Sequence, residues 1–192
     1  MKNRLIRQIA AIAMLALLPL NIYGDEETPD TPQEPFTQED LSVLTGNVQR
    51  PNGAQWFNDN LYMVCNGDWT VYEIDDSDGS TQTYIYGVRN AHTVFIEATS
   101  ETSFDLWIPD FEQNSLLQVN QAGAPRVINT ELEGPWGIAY IDNAHFLISN
   151  LLGNSIVVAG RDGSLSTVIE GLRSPAGLVY DTERIYFANN AS

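Results

Sequence analysis

Asparagine and aspartate recur at one position of a repeating sequence pattern. In four successive segments the second short apolar run ends in such a residue, and these residues are Asn66, Asp110, Asn150 and Asn189. Their side-chain oxygens could bind a cation, or accept hydrogen bonds from a sugar or a peptide. The same side chains also cap turns by bonding to nearby backbone N–H groups. The sequence by itself leaves both roles open.

Further polar and aromatic residues accompany these positions. They are Asn52 and Trp136, each in the middle of a Pro-x-Gly motif, His92 in the equivalent place of a degenerate copy, and Asp68 and Glu112, which lie two residues after an Asn or Asp marker. Carboxylates, amides and aromatic rings gathered at one place would make a binding surface. Whether these side chains lie close together depends on the strands and loops that carry them.

The Pro-x-Gly motif sets the period of the repeat. It occurs at residues 51–53, 135–137 and 175–177, so that successive motifs start 84 and 40 residues apart. A degenerate copy at residues 90–95 fills the long gap, with Thr93 in the glycine position. Two markers that share a period of about 40 residues predict an internal repeat.

Residues 133–180 show what one repeat contains. Four short apolar runs, at 136–140, 145–149, 155–159 and 165–169, are separated by Asn-, Asp- and Gly-containing turns. Runs of about five β-branched or aromatic residues between such turns are typical of antiparallel strands joined by hairpins. Four strands in about 40 residues predict one blade of a β-propeller, and the repeated pattern predicts an all-β fold.

The repeat also predicts the domain boundaries. Four-stranded blades are expected near 51–90, 91–132 and 133–174, with an incomplete blade at 175–192, inside a propeller domain that covers 41–192. Because residues 41–53 are similar to 165–177, they are expected to form an additional outer strand. About three and a half blades leave a ring open, so the chain is expected to be a fragment of a longer propeller.

Blade topology brings the candidate residues together. The loop leading into each inner strand and the loop after each second strand emerge on the same face, around the central channel. That face is expected to hold Asn52, Asn66, Asp68, His92, Asp110, Glu112, Trp136, Asn150 and Asn189. His145 belongs to the other set of loops, so it is expected on the opposite face from His92.

The N-terminal residues have a different composition. Residues 1–24 combine a basic start with an apolar run at 9–20, which is typical of a secretory signal peptide. Residues 25–40 are acidic and rich in proline, which predicts an extended linker. We therefore expect a secreted or periplasmic protein, with no stable membrane insertion after signal cleavage.

Charge limits the class of partner. After residue 24 the chain has six arginines and no lysine against all 25 of its acidic residues, so nucleic acid is not an expected partner. Cys65 lies in an apolar run and is expected to be a buried strand residue. The tryptophans Trp56, Trp69 and Trp107 are expected to pack between blades. No nucleophile elbow and no phosphate-binding glycine loop occurs, and no catalytic residue is predicted.

Strand and turn segments such as 61–67 and 185–190, each following a Pro-x-Gly motif, resemble NHL-repeat propellers and the SMP-30/gluconolactonase-like group. Both groups are typically six-bladed, which implies that the chain is part of a six-bladed ring. Lactonase-like members hold one divalent metal at the channel mouth. Their motifs resemble Pro51-Asn52-Gly53 and Glu133-Gly134-Pro135, which implies Asn52 and Glu133 as ligands of calcium or zinc. Such a cation can polarise a lactone carbonyl and activate water.

Two functions remain open at this point. The first is an exported, non-catalytic binding or scaffold module that uses its channel face to hold a small molecule, a sugar or a protein. The alternative is a metal-dependent lactonase-like hydrolase. Since one fold of this kind hosts enzymes and binding modules alike, the geometry of the site has to separate them.

Overall fold

A computed structural model describes residues 37–191. The expected signal peptide at 1–24 and most of the expected linker at 25–40 lie outside the described residues. The chain divides into two compact units, Met1–Ser42 and Val43–Ser192. In the first unit, the described residues form one 3-10 turn at Gln38–Asp40, and Thr37 donates two hydrogen bonds to the carboxylate of Asp40. The described part of the chain contains no helix with the length and hydropathy needed to cross a membrane.

The second unit, as far as residue 191, is built from fourteen strands in four antiparallel sheets. Blade 1 contains β1 (Pro51–Phe57), β2 (Asn60–Cys65), β3 (Thr70–Asp75) and β4 (Thr81–Tyr86). Blade 2 contains β5 (Phe95–Ala98), β6 (Phe104–Asp110), β7 (Ser115–Asn120) and β8 (Pro125–Asn129). Blade 3 contains β9 (Pro135–Asp142), β10 (His145–Asn150), β11 (Ser155–Gly160) and β12 (Leu165–Ile169). Blade 4 contains β13 (Pro175–Tyr180) and β14 (Ile185–Asn189).

Each blade is a simple up-and-down sheet, in which strands adjacent in the chain are hydrogen-bonded neighbours. The all-β fold class with four-stranded antiparallel blades is therefore confirmed, and the fourth blade has two strands within the described residues. Short hairpins such as Gly153-Asn154 separate the strands where the sequence predicts turns.

One predicted strand is absent. Residues 41–50 contain no β-strand, although an outer strand was expected at 41–53, and the first strand begins at Pro51. An outer strand needs a third strand as its hydrogen-bonding neighbour, and the described part of blade 4 consists of β13 and β14. Val43 in this segment is 87% exposed. The prediction of an outer strand was wrong because sequence similarity carried no information about the neighbour.

The core consists of three apolar clusters, one between each pair of successive blades. Strand β6 shows how they are divided. Leu106 and Ile108 point into the cluster shared with blade 1, whereas Trp107 points into the cluster shared with blade 3. Successive side chains of a strand face opposite sides of the sheet, so a central strand that is covered on both sides is apolar at nearly every position.

Of the tryptophans expected between blades, only Trp107 is buried. Trp56 is 58% exposed and Trp69 is 38% exposed. On β1, Gln55 and Phe57 face blade 2, so Trp56 points to the other side of blade 1, where the described residues place no blade. Trp69 lies in the turn between β2 and β3 with φ +59°, and the Arg89 guanidinium stands 5.1 Å from its ring centroid. The prediction for these two residues was wrong.

One backbone feature returns in every repeat. The residue directly before each inner-strand motif has a left-handed conformation, and these residues are Arg50 (φ +50°), Asn90 (φ +59°), Gly134 (φ +62°) and Ser174 (φ +50°). This conformation is strained for residues with a Cβ and unstrained for glycine.

Substitution of Ser174 by glycine is therefore expected to stabilise the protein by about 0.5–1 kcal/mol, because relief of the left-handed strain exceeds the extra chain entropy of glycine. The measurement is the urea unfolding midpoint. Ser166→Gly on β12, where the backbone is extended, is the matched control and is expected to destabilise by a similar amount. A loss of stability in Ser174→Gly would contradict the strain argument.

Candidate functional site

The two loop sets that carry the candidate residues lie at the same end of each blade. Strand register shows this, since Pro135 is opposite Asn150 and Pro175 is opposite Asn189. In blade 1, Pro51 is opposite Cys65, the neighbour of Asn66. We call this end the channel face. It contains the residues just before or at the start of the inner strands β1, β5, β9 and β13, and those that end or follow β2, β6, β10 and β14.

Three of the Asn or Asp markers act as braces within their own blade. Each accepts a hydrogen bond from the same backbone position, two residues before the first residue of the inner-strand motif. The bonds run from Arg89 N–H to Asp110 Oδ2 (2.8 Å), from Glu133 N–H to Asn150 Oδ1 (3.2 Å) and from Arg173 N–H to Asn189 Oδ1 (3.3 Å). This is the turn-capping role that the sequence left open beside ligand binding.

Among these three markers, Asp110 is the most buried and accepts the most hydrogen bonds. Its side chain is fully buried, and it also accepts a 3.0 Å hydrogen bond from Gln113 N–H. Burial raises the pKa of the carboxyl group, and the hydrogen bonds from Arg89 and Gln113 only partly oppose this rise. A carboxylate with these backbone partners holds two loops together and offers little to a ligand.

Three aromatic side chains meet on the channel face, and we call them the mouth cluster: His92, Phe111 and Trp136. The His92 and Trp136 rings are stacked, with centroids 3.3 Å apart and planes 6° apart. Phe111 stands edge-on to both, at 5.6 Å from His92 and 6.0 Å from Trp136. The Thr93 hydroxyl donates a 2.7 Å hydrogen bond to the Trp136 carbonyl and fixes blade 2 against blade 3 at this point.

The imidazole of His92 has unused hydrogen-bonding capacity. Both ring nitrogens are buried and have no hydrogen-bond partner within the described residues. Burial lowers the pKa of His92 to about 4. The ring is therefore neutral at pH 7, and it presents one N–H donor and one nitrogen acceptor beside two aromatic rings.

A titration of His92 is expected to show this environment directly. Because burial disfavours the charged imidazole, its ring proton signals should shift near pH 4 in the folded protein and near pH 6.5 in the unfolded chain. The contribution of His92 to stability should be constant above pH 6.5 and fall as the pH drops from 6.5 towards 4, where only the unfolded chain binds the proton. NMR with His92→Gln to assign the signal measures the pKa, and a folded-state value above 6 would contradict the burial.

The candidate residues of blade 1 are arranged differently. Asp68 Oδ2 accepts a 2.6 Å hydrogen bond from the Tyr72 hydroxyl, whereas Asp68 Oδ1 and Asn66 Oδ1 are buried without a partner among residues 37–191. Asn66 thus occupies the marker position but does not make the brace found in the other blades. Beside it, Gly67 packs closely against Gln49.

Asn52 and Glu133, the ligands implied by the lactonase-like resemblance, are both exposed and belong to blades 1 and 3. Asn52 Nδ2 donates a 3.2 Å hydrogen bond to the Arg50 carbonyl, and the Glu133 side chain lies over Gly153. In the third motif of this kind, residues 175–177, the central residue is Ala176.

These residues do not make a complete set of metal ligands. Zinc usually takes four donors and calcium takes six to eight oxygens. Residues 37–191 contain no group of three or more His, Cys, Asp or Glu side chains placed to hold a metal. The two implied ligands alone are therefore too few to hold such a cation.

Other candidate residues stand apart from the mouth cluster. Glu112 is exposed, and its backbone N–H donates to the Arg89 carbonyl at 3.2 Å. His145 lies at the opposite end of blade 3, where Nδ1 is 2.9 Å from Asp142 Oδ1. The two histidines are thus at opposite ends of their blades, as the loop assignment predicts.

Phe111 was not among the residues expected on the channel face, although this ring completes the mouth cluster. It directly follows the Asp110 marker, and the equivalent residues in the other repeats are Gly67, Leu151 and Asn190. A large ring at a position that is variable in the repeat was the available signal.

A polar cavity of about 380 Å³ lies at the end of blade 1 opposite the channel face, lined by Asn60, Glu73, Asp75, Ser80, Thr81 and Gln82. Its carboxylates already have protein partners. Glu73 accepts hydrogen bonds from the Tyr62 hydroxyl and the Gln82 amide, and Asp75 accepts from Ser77. This cavity is therefore not the candidate site.

No protein-family model matches the chain, and no curated protein matches it. Solved structures do. A streptogramin B lyase aligns with a TM-score of 0.62 and 17% identity, over 78% of this chain and 50% of that one. A chain of a nidogen/laminin complex aligns with a TM-score of 0.65 and 12% identity, over 74% and 57%. The fold is a β-propeller.

A third similar structure is an auxiliary nutrient binding protein from Bacteroides thetaiotaomicron, with a TM-score of 0.58 and 14% identity, over 71% of this chain and 44% of that one. This chain thus spans about half the length of these propellers. At such low identities the similarity shows the fold alone, and the propellers concerned include both a lyase and a binding protein.

Proposed function

We propose that this protein is an exported, non-catalytic propeller module of the NHL/SMP-30-like kind, which binds a ligand on its channel face. The observation that carries the proposal is the mouth cluster, where the His92 imidazole stacks on Trp136 beside Phe111 and both of its buried nitrogens lack a hydrogen-bond partner within the described residues. Aromatic surface combined with a few convergent polar atoms is the usual composition of a small-molecule site.

The same atoms suggest the class of ligand. Aromatic faces stack on flat or weakly polar surfaces, and a neutral imidazole exchanges one donated and one accepted hydrogen bond. A sugar ring, or a small molecule with hydroxyl or amide groups on an apolar frame, meets both requirements. A protein partner would have to present such a group at its tip.

The lowered pKa of His92 favours ligand binding over acid–base catalysis. A general base works best when its pKa lies near the operating pH, and burial holds the pKa of His92 at about 4. Of the two carboxylates that flank Phe111 in the chain, Asp110 is occupied by backbone N–H groups and Glu112 is exposed. These contacts support a site that holds its ligand without proton transfer.

Export follows from the N-terminal pattern. The basic start and apolar run within residues 1–24 support secretion or delivery to the periplasm. N-terminal sequencing of the protein recovered from its producing cells and from their medium tests both export and cleavage. Recovery only of intact, cell-retained chain would contradict this part of the proposal.

The binding proposal is tested by NMR mapping with small probes: glucose, N-acetylglucosamine, cellobiose and indole. We expect at least one probe to shift the His92 ring and Trp136 indole signals in a saturable way. His92→Ala and Trp136→Ala should remove the shift, and Tyr86→Ala, at an exposed residue of β4, should leave it unchanged. Saturable binding of these probes at the polar cavity of blade 1, with no response at the mouth cluster, would overturn the proposal.

The metal-dependent hydrolase is the second candidate. One observation favours it, because Asn52 Oδ1 and the Glu133 carboxylate accept no side-chain or backbone hydrogen bond within the described residues and are exposed on the channel face. Lactone hydrolysis assayed with calcium, zinc or a chelator tests it. Activity that survives Asn52→Ala and Glu133→Ala would exclude these residues as the metal ligands.

A further inference from the structure

The turn between β2 and β3 carries a residue that its backbone conformation disfavours. In blades 2 and 3 the residue directly before the third strand is an asparagine with φ +52°, Asn114 or Asn154. In blade 1 the same position is Trp69, with φ +59°. Asparagine tolerates this left-handed conformation, whereas a bulky aromatic residue is an outlier there.

The exchange of asparagine for tryptophan also removes a hydrogen bond. In blades 2 and 3 the asparagine accepts from the loop that leads into the next blade. These bonds run from Gly134 N–H to Asn114 Oδ1 (2.8 Å) and from Ser174 N–H to Asn154 Oδ1 (2.9 Å). An indole ring is a donor only, so Trp69 cannot hold its loop in this way. Strained residues of this kind concentrate at sites that bind ligands.

Trp69 adds an aromatic surface that carries a cation. It is 38% exposed even though the Arg89 guanidinium stands 5.1 Å from its ring centroid. Arg89 is itself exposed, and no carboxylate pairs with its guanidinium within residues 37–191. The attraction between cation and ring holds the guanidinium over Trp69, and its N–H donors remain available to a ligand.

This pair and the mouth cluster share one loop, residues 87–94, which connects β4 to β5. Near the start of the loop, Arg89 lies over Trp69. Near its end, His92 stacks on Trp136. Three residue steps place the Cα atoms of Arg89 and His92 at most about 11 Å apart. The two aromatic sites are therefore neighbours on the channel face.

The backbone around Trp69 is already hydrogen-bonded. The Trp69 carbonyl accepts from Gly87 N–H (2.8 Å) and from Val88 N–H (3.1 Å). The N–H and the carbonyl of Arg89 are both bonded to residues at the end of β6 and in the turn that follows. A peptide strand, which is recognised through main-chain hydrogen bonds, finds no free edge here. A ligand of this surface is recognised by side chains.

We propose that the ligand of the channel face is an oligosaccharide chain, and that Trp69 and Arg89 form its second subsite. This inference rests on the proposed function, in which the mouth cluster holds the first sugar ring. A second ring of the chain lies with its apolar face on the free surface of Trp69, and its hydroxyl oxygens accept hydrogen bonds from Arg89. A neutral chain also avoids the repulsion that this acidic protein exerts on an anionic one.

The first test compares sugars of increasing length by NMR: glucose, cellobiose and cellotetraose, and N-acetylglucosamine with its dimer and tetramer. In at least one series we expect the Trp136 indole signal to shift at every length and the Trp69 signal to shift with the tetramer. The Kd should fall by about tenfold or more from monomer to tetramer, because the second ring then binds intramolecularly.

Trp69→Asn is the variant that isolates the second subsite. It introduces the residue of blades 2 and 3, so it should fold and raise the urea unfolding midpoint. We expect it to bind the monomer as wild type does and to lose the gain in affinity with length. Arg89→Gln should reduce this gain as well. Trp56→Ala, at an exposed tryptophan of β1 near the opposite end of blade 1, is the control and should keep it.

The possible outcomes separate this inference from the proposed function. A shift of Trp136 with equal affinity at all lengths would overturn the second subsite and leave the proposed function standing. Unchanged length dependence in Trp69→Asn would show that Trp69 has a structural role only. A shift of Trp69 by tetra-alanine and by no sugar would overturn the oligosaccharide assignment. A shift at Trp69 alone would overturn the mouth cluster as the first subsite, and no shift at either tryptophan would overturn both proposals.

Discussion

Replacement of Glu97 by glutamine is expected to destabilise the protein by about 3 kcal/mol, since it leaves the Arg161 guanidinium partly buried without a counter-charge. Glu97 lies on β5 and Arg161 in the turn between β11 and β12, so the pair joins blade 2 to blade 3. Two hydrogen bonds of 2.5 and 2.6 Å connect both carboxylate oxygens to the guanidinium. The side chains of Glu97 and Arg161 are only 19% and 23% exposed.

Two aromatic rings lie against one side of this ion pair. Trp107 Nε1 donates a 2.9 Å hydrogen bond to Glu97, and the guanidinium of Arg161 lies over the rings of Trp107 and Phe146, 4.9 and 4.8 Å from their centroids. These two adjacent rings reduce access of water to the pair from their side and strengthen the charge interaction. The pair is thus integrated into the cluster between blades 2 and 3.

Urea unfolding of Glu97→Gln measures the effect, with Glu131→Gln as a control at an exposed position in the loop after β8. The control is expected to change stability by less than about 0.5 kcal/mol. A cost below about 1 kcal/mol for Glu97→Gln would mean that solvent already screens the pair as it does at a surface.

The same pair predicts an acid dependence of stability. Burial acts to raise the pKa of Glu97, but the bonds from Arg161 and Trp107 outweigh burial, and the net result is a pKa below the usual value. A carboxyl group whose pKa is lowered in the folded state contributes stability above its unfolded pKa, and this contribution is lost as the pH falls through the folded pKa. The difference between wild type and Glu97→Gln should therefore shrink in acid.

Gly137→Ala is the second substitution expected to have a large effect, with a loss of about 3 kcal/mol. The new Cβ would lie 2.7 Å from the Ala176 carbonyl oxygen and 3.2 Å from Leu178 N, both backbone atoms of β13. Backbone cannot rotate away as a side chain can, so blade 4 would have to move. The new Cβ would also crowd the Ser149 hydroxyl, which accepts a hydrogen bond from Gly137 N–H and donates one to the Ala176 carbonyl.

Gly177→Ala provides the matched control, because it changes the same residue of the same motif at a place with no neighbour within 4 Å. It should be neutral or slightly stabilising, by up to about 0.5–1 kcal/mol. Urea unfolding compares the two. Equal losses for both variants would show that glycine is needed for its backbone conformation and not for the close contact between blades.

Blade 2 departs from the Pro-x-Gly motif of the other blades. Thr93 stands where the other blades have glycine, and its hydroxyl bonds to the Trp136 carbonyl of blade 3. The Phe95 and Tyr140 rings stack at this junction, with their centroids 5.9 Å apart. Strand β5 begins at Phe95, two residues after Thr93.

The order of strands and the period of the repeat were determined by the sequence alone. Short apolar runs and Asn, Asp and Gly turns act locally, so the hairpins of blade 3 could be predicted from residues 133–180 without knowledge of their neighbours. The marker residues were also found in this way, since Asn150 and Asp110 bond to loops of their own blade.

Contacts between blades were decided by the tertiary structure. They join residues far apart in the chain, such as His92 with Trp136 and Glu97 with Arg161, and no local pattern encodes them. The burial of Trp107 and the exposure of Trp56 have the same origin, because a strand residue is covered only if another blade lies on its side of the sheet. The repeat thus determined the blades, whereas packing between blades determined which side chains meet at the channel face.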